Sequence, residues 1–324
     1  MALTHINLIG PLLYIQNLQY EKHLLYDKPD IAKQEVAMPP LIHAFFDEAT
    51  NTLTYLAREP NGIACAIIDS VLDFDYASGR TDTRSADAVV AYVQGHDLDL
   101  QWILETHVHA DHLSAAPYIQ ERLGGKIGIG QNIKVVQDTF GKVFNEGTQF
   151  ARDGSQFDQL FADGDSLMIG QMRVDVMHTP GHTPACLTYV VGDAAFVGDT
   201  LFMPDFGTAR CDFPGGSSAN LYDSVQRILA LPDATRIFVG HDYKAPGRDD
   251  FAWETTVGAQ KALNIHIGAG KSKGAFIAMR DARDATLAMP RLIIPSLQIN
   301  MRAGHMPEAE DNGTRYLKVP LNGL

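Results

Sequence analysis

The 324-residue sequence is poor in cysteine, in basic residues and in long apolar runs. Its three cysteines, Cys65, Cys186 and Cys211, stand apart without a CxxC pair, which disfavours a disulfide framework and favours a reducing compartment. Lysine and arginine number 26 against 39 acidic residues, so the net charge is −13 and the basic surface needed for nucleic acid or anionic membrane is missing. The start of the chain lacks a signal-peptide pattern, and no apolar run has membrane length. We therefore expect a cytoplasmic protein without nucleic-acid or membrane partners.

What is present is enough apolar sequence for a large core, because 45% of the residues are hydrophobic and 20% are charged. Residues 1–42 carry scattered leucines and tyrosines and end near Met38-Pro39-Pro40. We interpret them as an N-terminal extension that packs on the domain surface or at a subunit contact, which favours a homodimer. Repeats of fixed period and low-complexity tracts are absent from the sequence.

Strand and helix patterns follow one another from residue 43 onwards. Alternating or continuous apolar runs predict strands at 43–46, 53–56, 64–69, 98–104, 126–129, 166–169, 172–178, 185–191, 194–197 and 236–239. Helical spacing predicts helices at 85–95, 113–123, 217–231, 251–264 and 275–288. The segment 131–165 has no clear pattern but contains five phenylalanines, and it is either a lid beside the site or ordinary core packing, with or without a hidden helix.

A dense group of metal-binding side chains lies between one of these strands and the next helix. The stretch 105–112 reads Glu-Thr-His-Val-His-Ala-Asp-His. Residues two apart on extended chain point the same way, so His107 and His109 can bind one metal ion, while Asp111 and His112 can face a second. Imidazole and carboxylate are the donors that zinc and iron prefer. This cluster therefore predicts a metal site.

Three further candidate ligands also follow strand ends. His182 lies in the Gly- and Pro-containing turn Thr179-Pro180-Gly181-His182, Asp199 follows the strand 194–197, and His241 follows the strand 236–239. Each of them alone reads as an ordinary turn residue. Together with the cluster at 107–112 they form seven potential ligands in equivalent positions, which favours a shared metal centre.

The motifs Thr-His-x-His-x-Asp-His, Thr-Pro-Gly-His-Thr, Gly-Asp-Thr and Gly-His-Asp-Tyr resemble those of the metallo-β-lactamase superfamily over about residues 43–265. The resemblance implies an α/β fold, an αββα sandwich of two mixed β-sheets with metals at one edge, and leaves 266–324 as a C-terminal elaboration packed on the same domain. Arg210-Cys211-Asp212-Phe213 and Asn300-Met301-Arg302-Ala303-Gly304 are similar to the persulfide dioxygenase and glyoxalase II branch, in its β-lactamase-like bacterial form.

That resemblance implies a mononuclear Fe(II) held by His107, His182 and Asp199, as in non-haem iron oxygenases. The implied reaction oxidises a small-molecule persulfide, such as glutathione persulfide, with O2 to sulfite and thiol. Asp111 and Tyr243 are then the expected catalytic residues, and Arg210, Tyr243 and Arg302 the expected substrate contacts, because arginine suits carboxylates. The alternative is a hydrolase with one or two zinc ions, in which Asp199 bridges the metals and a bound hydroxide attacks a thioester, lactone or other ester or amide bond.

Overall fold

The computed structural model describes residues 39–323, so the predicted extension at 1–42 lies almost wholly outside the described residues. The strands in chain order are β1 Leu41–Asp47, β2 Thr52–Arg58, β3 Ala64–Ile68, β4 Val71–Asp75, β5 Arg80–Asp82, β6 Asp99–Leu104, β7 Leu113–Ser114, β8 Lys126–Gly130, β9 Gln159–Phe161, β10 Ser166–Ile169, β11 Met172–His178, β12 Leu187–Val191, β13 Ala194–Phe196, β14 Arg236–Phe238 and β15 Glu254–Thr256. The helices are α1 Arg84–Gly95, α2 Ala116–Leu123, α3 Ile133–Val143, α4 Ser218–Leu229, α5 Val257–Leu263, α6 Lys273–Asp284 and α7 Ile293–Asn300, with a 3-10 turn at Gly198–Thr200.

Two six-stranded mixed sheets form the centre of the fold. The first has the order β1-β2-β3-β6-β8-β9, and its strands from β3 to β9 run parallel. The second has the order β10-β11-β12-β13-β14-β15 and is antiparallel except between β13 and β14. A small third sheet joins β5, β4 and β7. The two mixed sheets that the motifs implied are confirmed.

Alternation along the strands divides the core into layers. In β2, Leu53 and Tyr55 face the second sheet, whereas Leu56 faces the outer helices. In β3, Ile68 faces the second sheet and Ile67 faces the outer helices. Because side chains alternate between the faces of a strand, each central strand contributes to two cores at once.

Helices cover both outer faces of the paired sheets. The side chains of α1, α2, α3 and α7 pack against the first sheet, and those of α4, α5 and α6 pack against the second. This arrangement is the predicted αββα sandwich. Within residues 39–323, no helix has both the length and the apolar character that crossing a bilayer requires.

Several segments differ from the predictions: β4, β5 and α7 were not predicted, and Leu113–Ser114 is strand β7 where a helix was expected. Residues 251–264 are a short edge strand, β15, followed by α5, because Glu254, Thr255 and Thr256 pair with β14. Residues 131–165 contain helix α3, and the side chains of Phe140, Phe144 and Phe157 are buried in the outer core. The segment therefore packs as core with a hidden helix.

Candidate metal centre and its pocket

The loop after β6 carries four of the predicted ligands. It leaves the carboxyl end of a strand that is parallel to both neighbours, which is where α/β sheets place their ligand sites. The backbone N–H of Glu105 donates to Gly128 O at 2.9 Å in the first sheet, and Leu187 N–H donates to Thr106 O at 2.8 Å from the second sheet. The loop is therefore anchored to both sheets, and its histidines lie at the edge between them.

The first ligand group consists of His107, His182 and Asp199, whose ligand atoms all lie within 4.8 Å of one another. Asp199 Oδ2 is 3.9 Å from His107 Nε2 and 3.6 Å from His182 Nε2. The other ring nitrogen of His182, Nδ1, is 2.8 Å from Arg210 O. A hydrogen bond there places the proton on Nδ1 and leaves the Nε2 lone pair free for a metal ion.

The second ligand group consists of His109, Asp111 and His241. His241 Nε2 is 3.1 Å from Asp111 Oδ2 and 3.2 Å from Asp199 Oδ1. The carboxylate of Asp199 therefore lies between the groups, with Oδ2 towards the first and Oδ1 towards the second. The ring of His112 lies beside them, 4.1 Å from the ring of His109 and 6.2 Å from that of His241.

Buried polar atoms without hydrogen-bond partners are concentrated here. Of nine such side-chain atoms found within residues 39–323, six belong to the predicted ligands: His107 Nε2, His109 Nδ1, Asp111 Oδ2, His112 Nε2, Asp199 Oδ1 and His241 Nε2. Each buried group left unsatisfied costs about 1–3 kcal/mol, so native structures keep few of them. Because five of the six residues belong to the two adjoining ligand groups and the ring of His112 lies beside them, the residues fit bound cations, which would satisfy these atoms.

Burial keeps two of the imidazoles in the form that binds metal, whereas nearby carboxylates raise the pKa of His109 and His241. Burial lowers the pKa of His107 well below the usual value, with help from the neighbouring histidines. It lowers the pKa of His112 to about 3. Both rings are therefore neutral at neutral pH, as a metal ligand must be.

Two carboxylates that we did not predict orient His109. Its Nε2 lies 3.1 Å from Asp69 Oδ1 and 3.3 Å from Glu105 Oε2, so Nδ1 is the nitrogen turned towards the centre. Asp69 is held in turn by Thr106, whose N–H and hydroxyl donate to its two oxygens at 2.7 and 2.8 Å. Carboxylates behind a ligating histidine fix its tautomer and its orientation. The position of Asp69 directly after the buried strand β3 was the available signal.

An open cavity of about 390 Å³ adjoins the first ligand group. It is lined by His182, Asp199 and Asp111. Its apolar wall includes Phe202, Phe206 and Phe213, and its size suits a small molecule. The cavity lining contains no residue of 131–165 among those described, so the structure does not support the lid hypothesis.

Tyr243 lines the cavity, as expected for a substrate contact. Its ring lies between those of Phe206 and His241, with centroids 5.1 and 5.8 Å away. The residue is 41% exposed. A hydroxyl at such a position is available to a bound substrate.

Arg210 also lines the cavity, but its guanidinium is already occupied. Nε and Nη2 donate to the two oxygens of Asp212, both at 2.6 Å, and Nη1 donates to Ala288 O at 2.6 Å. A paired arginine that also bonds a backbone carbonyl has little capacity left for a ligand. Its expected role as the main carboxylate contact is therefore weakened.

Arg302 lies away from this cavity, which corrects its expected role as a substrate contact. Its Nη2 is 2.7 Å from Glu146 Oε2, and its guanidinium lies over the ring of Phe150. It lines a different cavity, formed by the C-terminal tail and the segment after α3. The neighbouring Asn300 instead supports the metal loop, because its amide donates to His109 O and His112 O at 2.9 and 2.8 Å.

Three arginines that sequence reasoning missed line the cavity: Arg280, Arg283 and Arg291. Arg280 is buried and paired with Asp284. Arg283 and Arg291 are exposed, and their guanidinium groups make no ion pair or hydrogen bond with any residue in the described range 39–323. The cavity rim thus carries two exposed arginines, and one of them, Arg291, also helps to lower the pKa of the Asp75 carboxyl by its positive charge.

The ligand groups and the sandwich agree with a family model for the metallo-beta-lactamase superfamily, which matches residues 48–241. The chain belongs to the metallo-beta-lactamase superfamily. The match covers β2 to β14, the metal loop and all seven predicted ligands.

Individual members of the superfamily extend the match beyond this range. A probable metallo-hydrolase of Burkholderia pseudomallei is 55% identical over 293 residues, which are 87% of this chain and 99% of that protein. The mitochondrial persulfide dioxygenase ETHE1 of Homo sapiens is 31% identical over 269 residues, 82% of this chain and 89% of that protein. The crystal structure of ETHE1 from Myxococcus xanthus has a TM-score of 0.65 and 30% identity, and the match covers 82% of this chain and all of that one.

A relative named as a hydrolase and a relative named as a dioxygenase are therefore both similar to this chain. The protein has the metal-binding histidine and aspartate groups of a metallo-beta-lactamase superfamily enzyme. Donors of this kind suit iron and zinc alike.

Proposed function

We propose that the protein is an iron-dependent persulfide dioxygenase acting on the persulfide of a small acidic thiol such as glutathione. The observation that carries the proposal is how the ligand groups face the cavity. The first group, two histidines and one carboxylate, opens on the cavity through His182 and Asp199. His107 is outside the lining, as are the imidazoles of His109, His112 and His241, and the second group contributes only the carboxylate of Asp111. A single metal with two histidines, one carboxylate and open positions is the arrangement of non-haem iron oxygenases.

The proposed reaction converts RSSH, O2 and H2O into RSH and sulfurous acid, which ionises to sulfite. The S–S bond breaks, the terminal sulfur loses four electrons to O2, and it gains three oxygen atoms, two from O2 and one from water. Fe(II) bound in the first group would supply the capacity to activate oxygen.

The residues of the chain bind and orient the reactants. The carbonyl oxygen of Arg210 orients the His182 ring, and the carboxylate of Asp199 lies between the two ligand groups. Asp111 lines the cavity, and its carboxylate is placed to accept the persulfide S–H proton. The phenylalanine wall excludes bulk water from the sulfur. Tyr243 is placed to donate a hydrogen bond to the departing thiol.

The test is oxygen uptake by protein loaded anaerobically with Fe(II), on addition of glutathione persulfide, with sulfite assayed in parallel. Matched uptake and sulfite release are expected, and His182→Ala is expected to abolish both because it removes a ligand that faces the cavity. His305→Ala, at an exposed histidine outside the centre, serves as the control and should retain the activity. Absence of uptake in the iron-loaded wild type would reject the proposal.

A zinc hydrolase is the second candidate, and the completeness of the second ligand group favours it. Asp199 Oδ1 is 3.2 Å from His241 Nε2, as a carboxylate bridging two metals requires. A relative with 55% identity is named a probable metallo-hydrolase. Hydrolysis of a thioester or lactone by a two-zinc form, without oxygen uptake by the iron form, would favour this candidate.

Arg283 and Arg291 are expected to recognise the carboxylates of the thiol. An accessible charge pair contributes about 1 kcal/mol, so Arg283→Ala and Arg291→Ala should each raise KM for glutathione persulfide about fivefold at unchanged kcat. The measurement compares this substrate with the persulfide of an uncharged thiol. The KM for the uncharged substrate should stay constant, and an equal rise for both substrates would contradict carboxylate recognition.

A further inference from the structure

The segment 207–211, here called the Arg210 loop, connects the cavity wall to a metal ligand. Thr208, Ala209 and Arg210 line the cavity. The carbonyl of Arg210 lies 2.8 Å from His182 Nδ1. The orientation of the His182 ring therefore depends on where this loop is held.

A buried ion pair on α6 holds two backbone groups of the Arg210 loop. Arg280 is 1% exposed and Asp284 is 5% exposed, and they pair at 2.6 Å. Arg280 Nη1 donates to Thr208 O at 3.1 Å, and the N–H of Cys211 donates to Asp284 Oδ2 at 2.8 Å. The two groups flank Arg210, so the pair fixes the loop on both sides of the carbonyl that meets His182.

Two side chains before α6 hold the start of the same loop. The N–H of Thr208 donates to His266 Nδ1 at 3.0 Å, and Asn264 Nδ2 donates to Gly207 O at 3.1 Å. Burial, together with the positive charges of Arg280 and Arg283, lowers the pKa of His266 to about 4. The ring is therefore neutral at neutral pH and can accept this hydrogen bond.

The fit at this point is close as well as polar. Gly207 has φ +102°, and a Cβ there would lie 2.2 Å from His266 Nδ1. Simple attachment of α6 does not require a buried ion pair, since Phe276 already packs in the core with α4. Buried ion pairs contribute little net stability compared with apolar residues of similar size. The ion pair of Arg280 and Asp284 bonds two backbone groups of the Arg210 loop, which is the arrangement expected if its role is to position that loop.

We propose that Asn264, His266, Arg280 and Asp284 are positioning residues for the metal ligand His182, acting through the Arg210 loop. All four lie beyond residue 241, where the match to the superfamily model ends. The C-terminal part of the chain thus completes the metal centre of the conserved fold. The inference rests on the proposed metal-binding role of His182, and it is independent of whether the reaction is oxidative or hydrolytic.

The test measures metal binding directly, with Co(II) as a spectroscopic probe added to the metal-free full chain. Asp284→Asn and His266→Leu are expected to weaken Co(II) binding about 10- to 100-fold and to change its absorption spectrum, as loss of a group that orients a ligand does. His266→Asn, whose Oδ1 can replace the accepting nitrogen, is expected to restore most of the affinity. Circular dichroism on each variant checks that it is folded.

Ser218→Ala is the matched control. The Ser218 hydroxyl donates to Asp281 Oδ1 at 2.7 Å, so the substitution removes a hydrogen bond to α6 that does not involve the Arg210 loop. Its Co(II) affinity and spectrum should equal those of the wild type. Wild-type binding by folded Asp284→Asn and His266→Leu would overturn the inference, and so would equal weakening by Ser218→Ala. If Asp284→Asn fails to fold, the comparison of His266→Leu with His266→Asn tests the inference. Failure of His266→Leu to fold would count against the inference, because one neutral hydrogen-bond acceptor contributes only a small part of the stability of the domain.

The outcomes separate this inference from the proposed function. A wild type that binds Co(II) through His182 but oxidises no persulfide would reject the dioxygenase and leave the positioning role intact. A wild type that oxidises the persulfide, together with wild-type Co(II) affinity in Asp284→Asn and His266→Leu, would do the reverse.

Discussion

Replacement of Asp199 by alanine is expected to lower turnover at least about a thousandfold, which corresponds to roughly 4 kcal/mol of activation free energy. The carboxylate of Asp199 lies within 4 Å of histidines from both groups, through Oδ2 to His107 and His182 and through Oδ1 to His241. Its loss therefore removes one ligand of the first group and the carboxylate oxygen beside His241 of the second, whereas His182→Ala changes the first group alone. Metal analysis of the purified variants, alongside the activity assay, should find less bound metal in Asp199→Ala than in His182→Ala.

In the absence of metal, the same substitution should leave the stability of the protein unchanged or raise it. Asp199 Oδ1 is buried without a hydrogen bond, so the metal-free protein carries the cost of its desolvation. Metal-free Asp199→Ala should melt at or above the temperature of the metal-free wild type, and it should lose the rise in melting temperature that added metal produces by binding the folded state. Asp175→Ala, at an exposed carboxylate of β11, is the control and should keep that rise. An undiminished rise in Asp199→Ala would contradict the assignment of Asp199.

Replacement of Gly181 by alanine is expected to be the most damaging change that leaves every ligand in place. Gly181 has φ +149°, and a Cβ there would lie 2.4 Å from the backbone nitrogen and Cα of Leu221 in α4. Leu221 is fully buried, so α4 has no free space into which to move. We expect a loss of about 3 kcal/mol or more in unfolding free energy, together with loss of metal binding, because His182 is the next residue.

Gly79→Ala is the control for backbone strain alone. Gly79 also has a positive φ, +67°, but a Cβ there would meet no atom within 4 Å. Its cost should be limited to about 1–2 kcal/mol for the left-handed conformation, with metal binding unchanged. Urea unfolding and Co(II) titration of both variants make the comparison, and equal effects at the two glycines would show that contact with α4 is unimportant.

Predictions from local pattern were accurate where the pattern itself specifies the structure. The apolar run Leu53-Thr54-Tyr55-Leu56 placed β2 correctly, since a short apolar segment between turn residues is typical of a buried strand. The prediction failed at 251–264, because pairing of β15 with β14 outweighs the helical tendency of its sequence. Helix α3 was overlooked although Ile133, Val136 and Phe140 recur at helical spacing.

The amino-acid sequence by itself determined the seven candidate ligands, because they follow strand ends, and its motifs implied the sandwich fold through their resemblance to the metallo-β-lactamase superfamily. Only the tertiary structure decided which residues surround those ligands. It placed Arg302 against Glu146, away from the cavity, and brought Arg283 and Arg291 to its rim. It also set Asp69 behind His109. Such contacts join residues far apart in the chain, so they depend on how the layers pack and leave no local pattern to read.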